Sequence, residues 1–378
     1  MASDLLSIAS SGAKAARAAL DVTAQNIANA SSDGYVRRSV QLSELSAPST
    51  MGQAGQASLS GVRLSGIVRN VDLFRQAEAR RTTADQSRAS AELGGVQNIE
   101  SALENSQIYG SVTNFEGSLQ ALAADPTNAS LRASVLESAS TLARSFNVAS
   151  NSLNAVGDSL HFDANAGVID VNQYAQELAR INLRLARAQN GSTDQSTLLE
   201  QRDQMLQKLS EHADISVTVN SDYTVQVSLG SGGTVPLVQG GNAATLASTT
   251  AADGTLSFTV GGSPVTVGGG DLAGQSQALE HLRDYRNSLD GLVSGLITTV
   301  NSAQANGVAL DGSAGQPLFA GSGAADISVS LTSGAQLATA PAGAPAGSRD
   351  GSNLTALQNS LSTTGVADNV NSLLFSVS

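Results

Sequence analysis

His161, His212 and His281 are the side chains of this chain best suited to proton transfer or metal ligation near neutral pH. They are isolated from one another, and none sits in a pair with metal-ligand spacing, so they read as surface or helix-end residues. Cysteine is absent, which excludes a disulfide framework, a thiolate metal site and a Cys nucleophile. The runs Gly230-Ser231-Gly232-Gly233 and Gly268-Gly269-Gly270 have the composition of phosphate-cradling loops. Neither opens a helix carrying Lys-Ser/Thr, so both read as hairpin turns. Asp311-Gly312-Ser313 lacks the further acidic positions of a calcium loop and reads as a turn. Arg180, Arg184 and Arg187 form a basic helix face, but Glu177, Glu200 and Asp203 lie near them in sequence, which predicts a solvated, ion-paired surface. Spacing suggests no Ser/His/Asp set. No catalytic, cofactor-binding or metal-binding residue is therefore assigned, and no cofactor is expected.

The absence of a chemical site turns attention to surfaces. With 378 residues, 41% of them hydrophobic, the chain is long enough for two or three domains with real cores. Its 20 basic against 32 acidic residues give a net charge of -12, which repels phosphate backbones and anionic lipid, so neither nucleic acid nor membrane is expected as a partner. No run approaches the roughly eighteen apolar residues needed to cross a bilayer. Lys14 and Arg17 interrupt the place where a signal peptide would carry its apolar region, which argues against the general secretory route.

Between Asp4 and Ala30, Leu5, Ile8, Gly12, Ala15, Ala19 and Val22 fall at strict 3-4 spacing. A second seam runs through Leu6, Ala9, Ala13, Ala16, Leu20 and Ile27. This predicts an amphipathic helix of about 26 residues, roughly 40 Å long, ended by Ser31-Ser32-Asp33-Gly34. So wide a stripe requires a covering partner, and none is evident in the same chain. The candidate assembly interface is Leu5, Leu6, Ile8, Ala9, Gly12, Ala13, Ala16, Ala19, Leu20, Val22 and Ile27.

The remaining elements divide into segments. Residues 1–34 form the assembly helix, and 35–71 an extended connector with Gly52, Gly55, Gly61 and Gly66 and short strands near 62–64 and 67–71. Residues 72–213 carry long helical runs, opened by Asp72 as a cap and bent at Gly94-Gly95; two of them, 131–160 and 171–185, follow one another. They predict an antiparallel bundle. Period two at Ile215-Val217-Val219, Tyr223-Val225-Val227-Leu229, Leu256-Phe258-Val260 and Val265-Val267 predicts a β-rich insertion over 214–272. A helix over 273–306 returns to the bundle. A Gly/Ala-rich stretch of loops with a strand at 327–331 fills 307–348, and 349–378 begins a C-terminal helical segment. The fold class is α+β, mainly α.

Leu5-Leu6-Ser7-Ile8-Ala9-Ser10-Ser11-Gly12-Ala13, then Gln25-Asn26-Ile27-Ala28-Asn29-Ala30 and Gly34-Tyr35, resembles the N-terminal motif of flagellar rod, hook and hook-associated proteins. Asn26, Asn29, Gly34 and Tyr35 are its characteristic positions. Leu64-Ser65-Gly66-Ile67 with Asp72 and Phe74, Leu198-Leu199-Glu200-Gln201-Arg202-Asp203-Gln204 with Leu209, Gln277-Ala278-Leu279 onward, and Asp350-Gly351-Ser352-Asn353 are similar to the hook-filament junction members of that family. Val36-Arg37-Arg38 departs from the usual residues after Gly-Tyr, and the second terminal helix of the family is expected to be missing beyond Ser378.

The resemblance implies a non-enzymatic structural subunit, exported unfolded by the type III route to an extracellular place at the hook-filament junction. Its implied partners are copies of itself, the hook protein, other hook-associated proteins, flagellin indirectly and an export chaperone. Two alternatives stand beside it: a hook or rod subunit, and a secreted enzyme or adhesin carried on a flagellar scaffold.

Overall fold

The computed structural model describes residues 2–32, 34–46, 59–230 and 232–375. Asp33 at the expected helix stop, Gly52 and Gly55 of the connector, Ser231 of the first glycine run, and the end at Ser378 lie outside them.

The helices are α1 (Ala2–Ala28), α2 (Leu73–Asn105), α3 (Ile108–Ala124), α4 (Ala129–Leu185), α5 (Thr193–His212), α6 (Gly270–Ala305), α7 (Ser352–Thr364) and α8 (Val366–Phe375). The hairpin β1 (Arg38–Ser46) and β2 (Leu59–Arg69) separates α1 from α2. A four-stranded antiparallel sheet, β3 (Ile215–Val219), β4 (Val225–Leu229), β5 (Val235–Gln239) and β6 (Asn242–Ala243), follows α5. A three-stranded one follows it, made of β7 (Leu246–Thr250), β8 (Leu256–Val260) and β9 (Ser263–Val265). After α6 come two short ladders, β10 (Gly307–Val308) with β13 (Ala340–Pro341), and β11 (Phe319–Ala320) with β12 (Ser328–Val329).

The expected α+β, mainly helical class is what the fold shows, with several corrections in detail. The short strands expected near 62–64 and 67–71 are a single strand, β2, which pairs antiparallel with β1 in the described part of the connector. The runs 131–160 and 171–185 are one 57-residue helix, α4. Its middle keeps the helical seam with small residues, Ala164 and Gly167, which carry little hydrophobic signal; Gly167 lies against Leu272. Helix α2 continues through Gly94-Gly95, where Gly95 is needed for contact, because a Cβ there would collide with the Ala278 side chain. The Gly268-Gly269-Gly270 run is no hairpin turn: it leads into α6, whose first residue is Gly270. The strand expected over 327–331 is reduced to Ser328–Val329.

The chain divides into two compact units, and α2, α4 and α6 each contribute a part to both. The first unit comprises residues 1–89, 165–249 and 257–273. In it Ile181 and Leu185 of α4 pack on Leu198 of α5, and Val225, Val227 and Leu229 of β4 are fully buried by period-two alternation. The second comprises 90–164, 250–256 and 274–378. Its core is helical and continuous, with Leu142, Phe146 and Leu153 of α4, Leu289, Val293 and Leu296 of α6, and Leu354, Leu357 and Leu361 of α7. Phe115 meets Phe319 edge to face at 5.9 Å between ring centroids.

Arg132 in the second unit is buried without a carboxylate. Its Nε donates to the Pro126 carbonyl at 2.6 Å, and its terminal nitrogens donate to the carbonyls of Gly334 and Leu337 and the hydroxyl of Thr339. The guanidinium thus ties the start of α4 to segment 334–339, which holds a 3-10 turn at Gly334–Gln336, and its donors are satisfied by oxygens alone.

Candidate functional site

The candidate site is a surface built on α1. The helix packs along β2 and β1 within the first unit. Ala15 and Val22 are buried, and Ile8 and Gly12 are half-buried. The expectation that the stripe has no partner in its own chain is therefore corrected for this inner seam, which the hairpin covers. Contact is close enough that Gly61, at φ 89°, has no room for a Cβ beside Ser11 and Ile8. The Ser11 hydroxyl donates to the Ile8 carbonyl and accepts the Val62 backbone N–H at 3.2 Å, which joins helix to strand.

At the other end of α1 the motif residues converge. Asn26 donates from Nδ2 to the Arg38 carbonyl and accepts the Arg38 N–H at Oδ1, both at 2.9 Å, so its amide stands in for a strand neighbour. The Tyr35 hydroxyl donates to the same Oδ1 at 2.9 Å, and the Arg38 guanidinium lies 5.7 Å from the Tyr35 ring centroid. Gly34 occupies the left-handed region at φ 74°, and Asn29 donates to the Gln25 carbonyl within the helix end.

The hairpin in turn is anchored on α5. Arg38 donates to Glu200 at 2.7 Å, and Arg69 donates to Asp203 Oδ2 at 2.9 Å. Asp203 Oδ1 receives Nε and Nη2 of Arg202, while Gln76 of α2 donates to Oδ2 at 3.2 Å. Arg38, Arg69, Arg202 and Asp203 are all more than nine-tenths buried. Sequence reasoning singled out Glu200, Arg202 and Asp203 within a family-like motif but missed the pairing of Glu200 and Asp203 with Arg38 and Arg69 of the hairpin. Glu200 and Asp203 were read as surface partners of the Arg180–Arg187 face, whereas they bind the hairpin; on that face Arg180 pairs with Glu177 at 2.9 Å. The signal lay in α5 itself, where Glu200, Arg202 and Asp203 interrupt an apolar face formed by Leu198, Leu206 and Leu209.

With the inner seam covered and both ends fixed, the outer seam of α1 stays open. Leu5, Leu6, Leu20 and Ile27 are 69%, 75%, 70% and 74% exposed, and Ala9, Ala13, Ala16 and Ala19 between them are exposed as well. Covering the four large side chains would contribute about 6–12 kcal/mol at about 1.5–3 kcal/mol each. Small residues at the centre admit a helix at close range, and the large ones at the ends supply the area.

The chemically suggestive residues settle elsewhere. His212 is not a free surface residue: its ring is largely buried, Nδ1 lies 2.9 Å from Asp271 and Nε2 3.8 Å from Asp170, and it stacks on Tyr174. Burial alone would depress its pKa, but the hydrogen bond to Asp271 and the charges of Asp271, Asp170 and Glu211 prevail and raise it. His281 pairs with Glu92 at 3.5 Å. Asp311 accepts the Ser313 N–H in a turn. Among the described residues no group of three His, Cys, Asp or Glu could hold a metal ion, and no helix is long and apolar enough to cross a membrane.

Residues 93–319 match the family model described as Flagellar hook-associated protein FlgK helical domain, and residues 6–35 match that of the Flagella basal body rod protein. The chain is 28% identical over 356 residues to Flagellar hook-associated protein 1 of Salmonella typhimurium, covering 87% of this chain and 63% of that protein. It is likewise 28% identical over 310 residues to the protein of the same name in Bacillus subtilis, covering 79% and 56%. The chain thus spans less than two thirds of the length of these relatives. Among solved structures, the flagellar hook junction protein FlgK from Burkholderia pseudomallei superposes with a TM-score of 0.57 at 26% identity, over 65% of this chain and 46% of that one. The helical-domain match extends over more than half of the sequence and the N-terminal motif folds with it, so this chain belongs to the FlgK family of flagellar hook-associated proteins.

Proposed function

We propose that this chain is a structural subunit of the bacterial flagellum at the hook-filament junction, working outside the cell after type III export. It acts by adhesion: copies of the chain associate with one another and with the hook protein and other hook-associated proteins, flagellin is seated indirectly, and a chaperone accompanies export. No catalytic step is assigned to it. The observation that carries this reading is the outer seam of α1, a row of exposed Leu, Ile and Ala on a helix whose opposite side is clamped to the hairpin. A clamped helix cannot turn the row inward, so burial requires a surface beyond the described residues, which on this reading neighbouring subunits supply. The contact set is Leu5, Leu6, Ala9, Ala13, Ala16, Ala19, Leu20 and Ile27, while Ile8, Gly12 and Val22 serve the contact with the hairpin.

The test is the double variant Leu6→Ser and Leu20→Ser, assayed for sedimentation with purified hooks and for self-association. Hook binding should fall at least tenfold with the far-ultraviolet circular dichroism and melting temperature unchanged, since both positions are exposed. Undiminished binding to hooks by a folded variant would refute the assembly role.

A further inference from the structure

Asn190-Gly191 lies between α4 and α5, and the fold calls for glycine at its second position. Gly191 sits at φ 74°, in the left-handed region, where any side chain brings backbone strain. Its Cα side lies against Gly66 of β2: a Cβ built there would stand 3.4 Å from the Gly66 Cα and 3.8 Å from the Ser65 carbonyl oxygen. The turn and the hairpin thus meet backbone to backbone. Asparagine before glycine is the step of a chain most open to reaction with itself. The Gly191 nitrogen attacks Cγ of Asn190; the N–Cγ bond forms, the Cγ–Nδ2 bond breaks, and Nδ2 departs as ammonia with the proton that the Gly191 nitrogen gives up. Water then opens the resulting succinimide at either carbonyl and leaves aspartate or isoaspartate, each with a new negative charge. Asn190 is exposed, so water reaches it.

One buried side chain occupies both reacting groups. Gln195, 6% exposed, accepts the Gly191 N–H at Oε1 at 2.8 Å and donates from Nε2 to Asn190 Oδ1 at 3.1 Å. It is the third residue of α5, and its own N–H donates to the hydroxyl of the N-cap Ser192 at 3.1 Å. Ser192-Thr193-Asp194-Gln195 has the spacing of a capping box, in which the glutamine side chain turns back to the N-cap N–H. Here the Ser192 N–H goes to the Gln189 carbonyl instead, and the glutamine reaches one residue further back, to Gly191. Helix capping alone does not require that reach.

We propose that Asn190-Gly191 is a latent site of succinimide formation and that Gln195 is the residue that keeps it unreacted. An amide oxygen is too weak a base to take the Gly191 proton, so the bond from Gly191 holds that proton on the nitrogen that has to lose it before attack. The bond to Oδ1 ties the Asn190 amide to α5 and denies it the rotation that ring closure needs. What the guard protects is the seat of the hairpin, because the charge would arise in the turn that lies against β2, the strand on which α1 packs.

The experiment ages the full chain in mildly alkaline buffer and reads its two Asn-Gly steps, at 190 and 306, by peptide mass, with isoaspartate separated by chromatography. In guanidinium chloride the two steps should convert at similar rates. In the folded wild type Asn190 should convert about tenfold more slowly than in guanidinium, and Gln195→Met, which keeps the volume and loses both bonds, should recover about that factor, the rate equivalent of one hydrogen bond. The Asn306 rate should be the same in both folded chains, which separates loss of the guard from loss of the fold. Hydrogen exchange gives a measurement that needs no variant: the Gly191 N–H of the wild type should be protected by about the same factor. Conversion of Asn190 as fast in the folded wild type as in guanidinium, an unchanged Asn190 rate in a folded Gln195→Met chain, or free exchange of the Gly191 N–H overturns the inference.

Discussion

Asp203 stands between Arg69 and Arg202 with both oxygens occupied, and Glu200 one turn away holds Arg38. Together they fasten a hairpin whose other face carries α1. Replacing Asp203 by Ala leaves two buried guanidinium groups without their counter-charge, which costs about 3–5 kcal/mol. Equilibrium urea unfolding should show that loss, and hook binding should fall with it because the hairpin no longer presents α1. A variant as stable as the wild type would mean that the pairs are incidental. His212 gives a pH dependence with a defined sign. Its pKa is raised in the fold by Asp271, Asp170 and Glu211, so its contribution is full below about 6.5, the unfolded value, and fades as pH rises through the folded one. The urea midpoint of the wild type should drop across that interval on the alkaline side of 6.5, and His212→Gln should flatten the drop.

Elements meet at glycines and are pinned by amides. Gly95 lets α2 lie against Ala278 of α6, so Gly95→Val should destabilise the chain by about 1–3 kcal/mol through overpacking, visible as a lower melting temperature. Four helical asparagines repeat one device, in which a single amide takes both backbone groups of one residue. Asn26 pairs with Arg38, Asn172 with Leu246, Asn182 with Val225 and Asn301 with Phe319. These pins explain what sequence could and could not disclose. Long helices and the hairpins of the insertion were legible because their apolar periods are strong. The joining of α4 across 161–170 was not, since alanine and glycine keep the seam without hydrophobicity, nor was the β1–β2 hairpin, whose partner is a helix rather than a sheet. The outer seam of α1 was legible as a stripe, yet only the fold separates it from the inner seam. The anchors Glu200 and Asp203 looked like surface charge because their partners Arg38 and Arg69 are more than a hundred residues away in sequence.

At the scale of the whole molecule, charge and apolar surface oppose each other. Copies carrying -12 repel, whereas the exposed row on α1, in the proposed assembly role, draws them together. Added salt screens the repulsion and leaves the apolar contact intact, so self-association through α1 should strengthen between about 0.05 and 0.5 M salt. Light scattering across that range should rise for the wild type and stay flat for the Leu6→Ser, Leu20→Ser chain; a wild-type signal that falls with salt would assign association to ion pairs instead. Under the proposed extracellular role, the amide pins bear on how such a chain ages where no synthesis replaces it. Hydrolysis of a pinned asparagine to aspartate turns a donor into a negative acceptor facing a carbonyl, and so converts a latch into a repulsion. The usual route to that hydrolysis needs attack by the next residue's backbone nitrogen, fastest when that residue is glycine. Ile27, Gln173, Leu183 and Ser302 follow the four pins, all inside helices that hold those nitrogens in place, while the Asn-Gly steps of the chain, at 190 and 306, fall at residues that pin nothing in this way. Durability of the assembled chain is thus set by where glycine is kept from following asparagine.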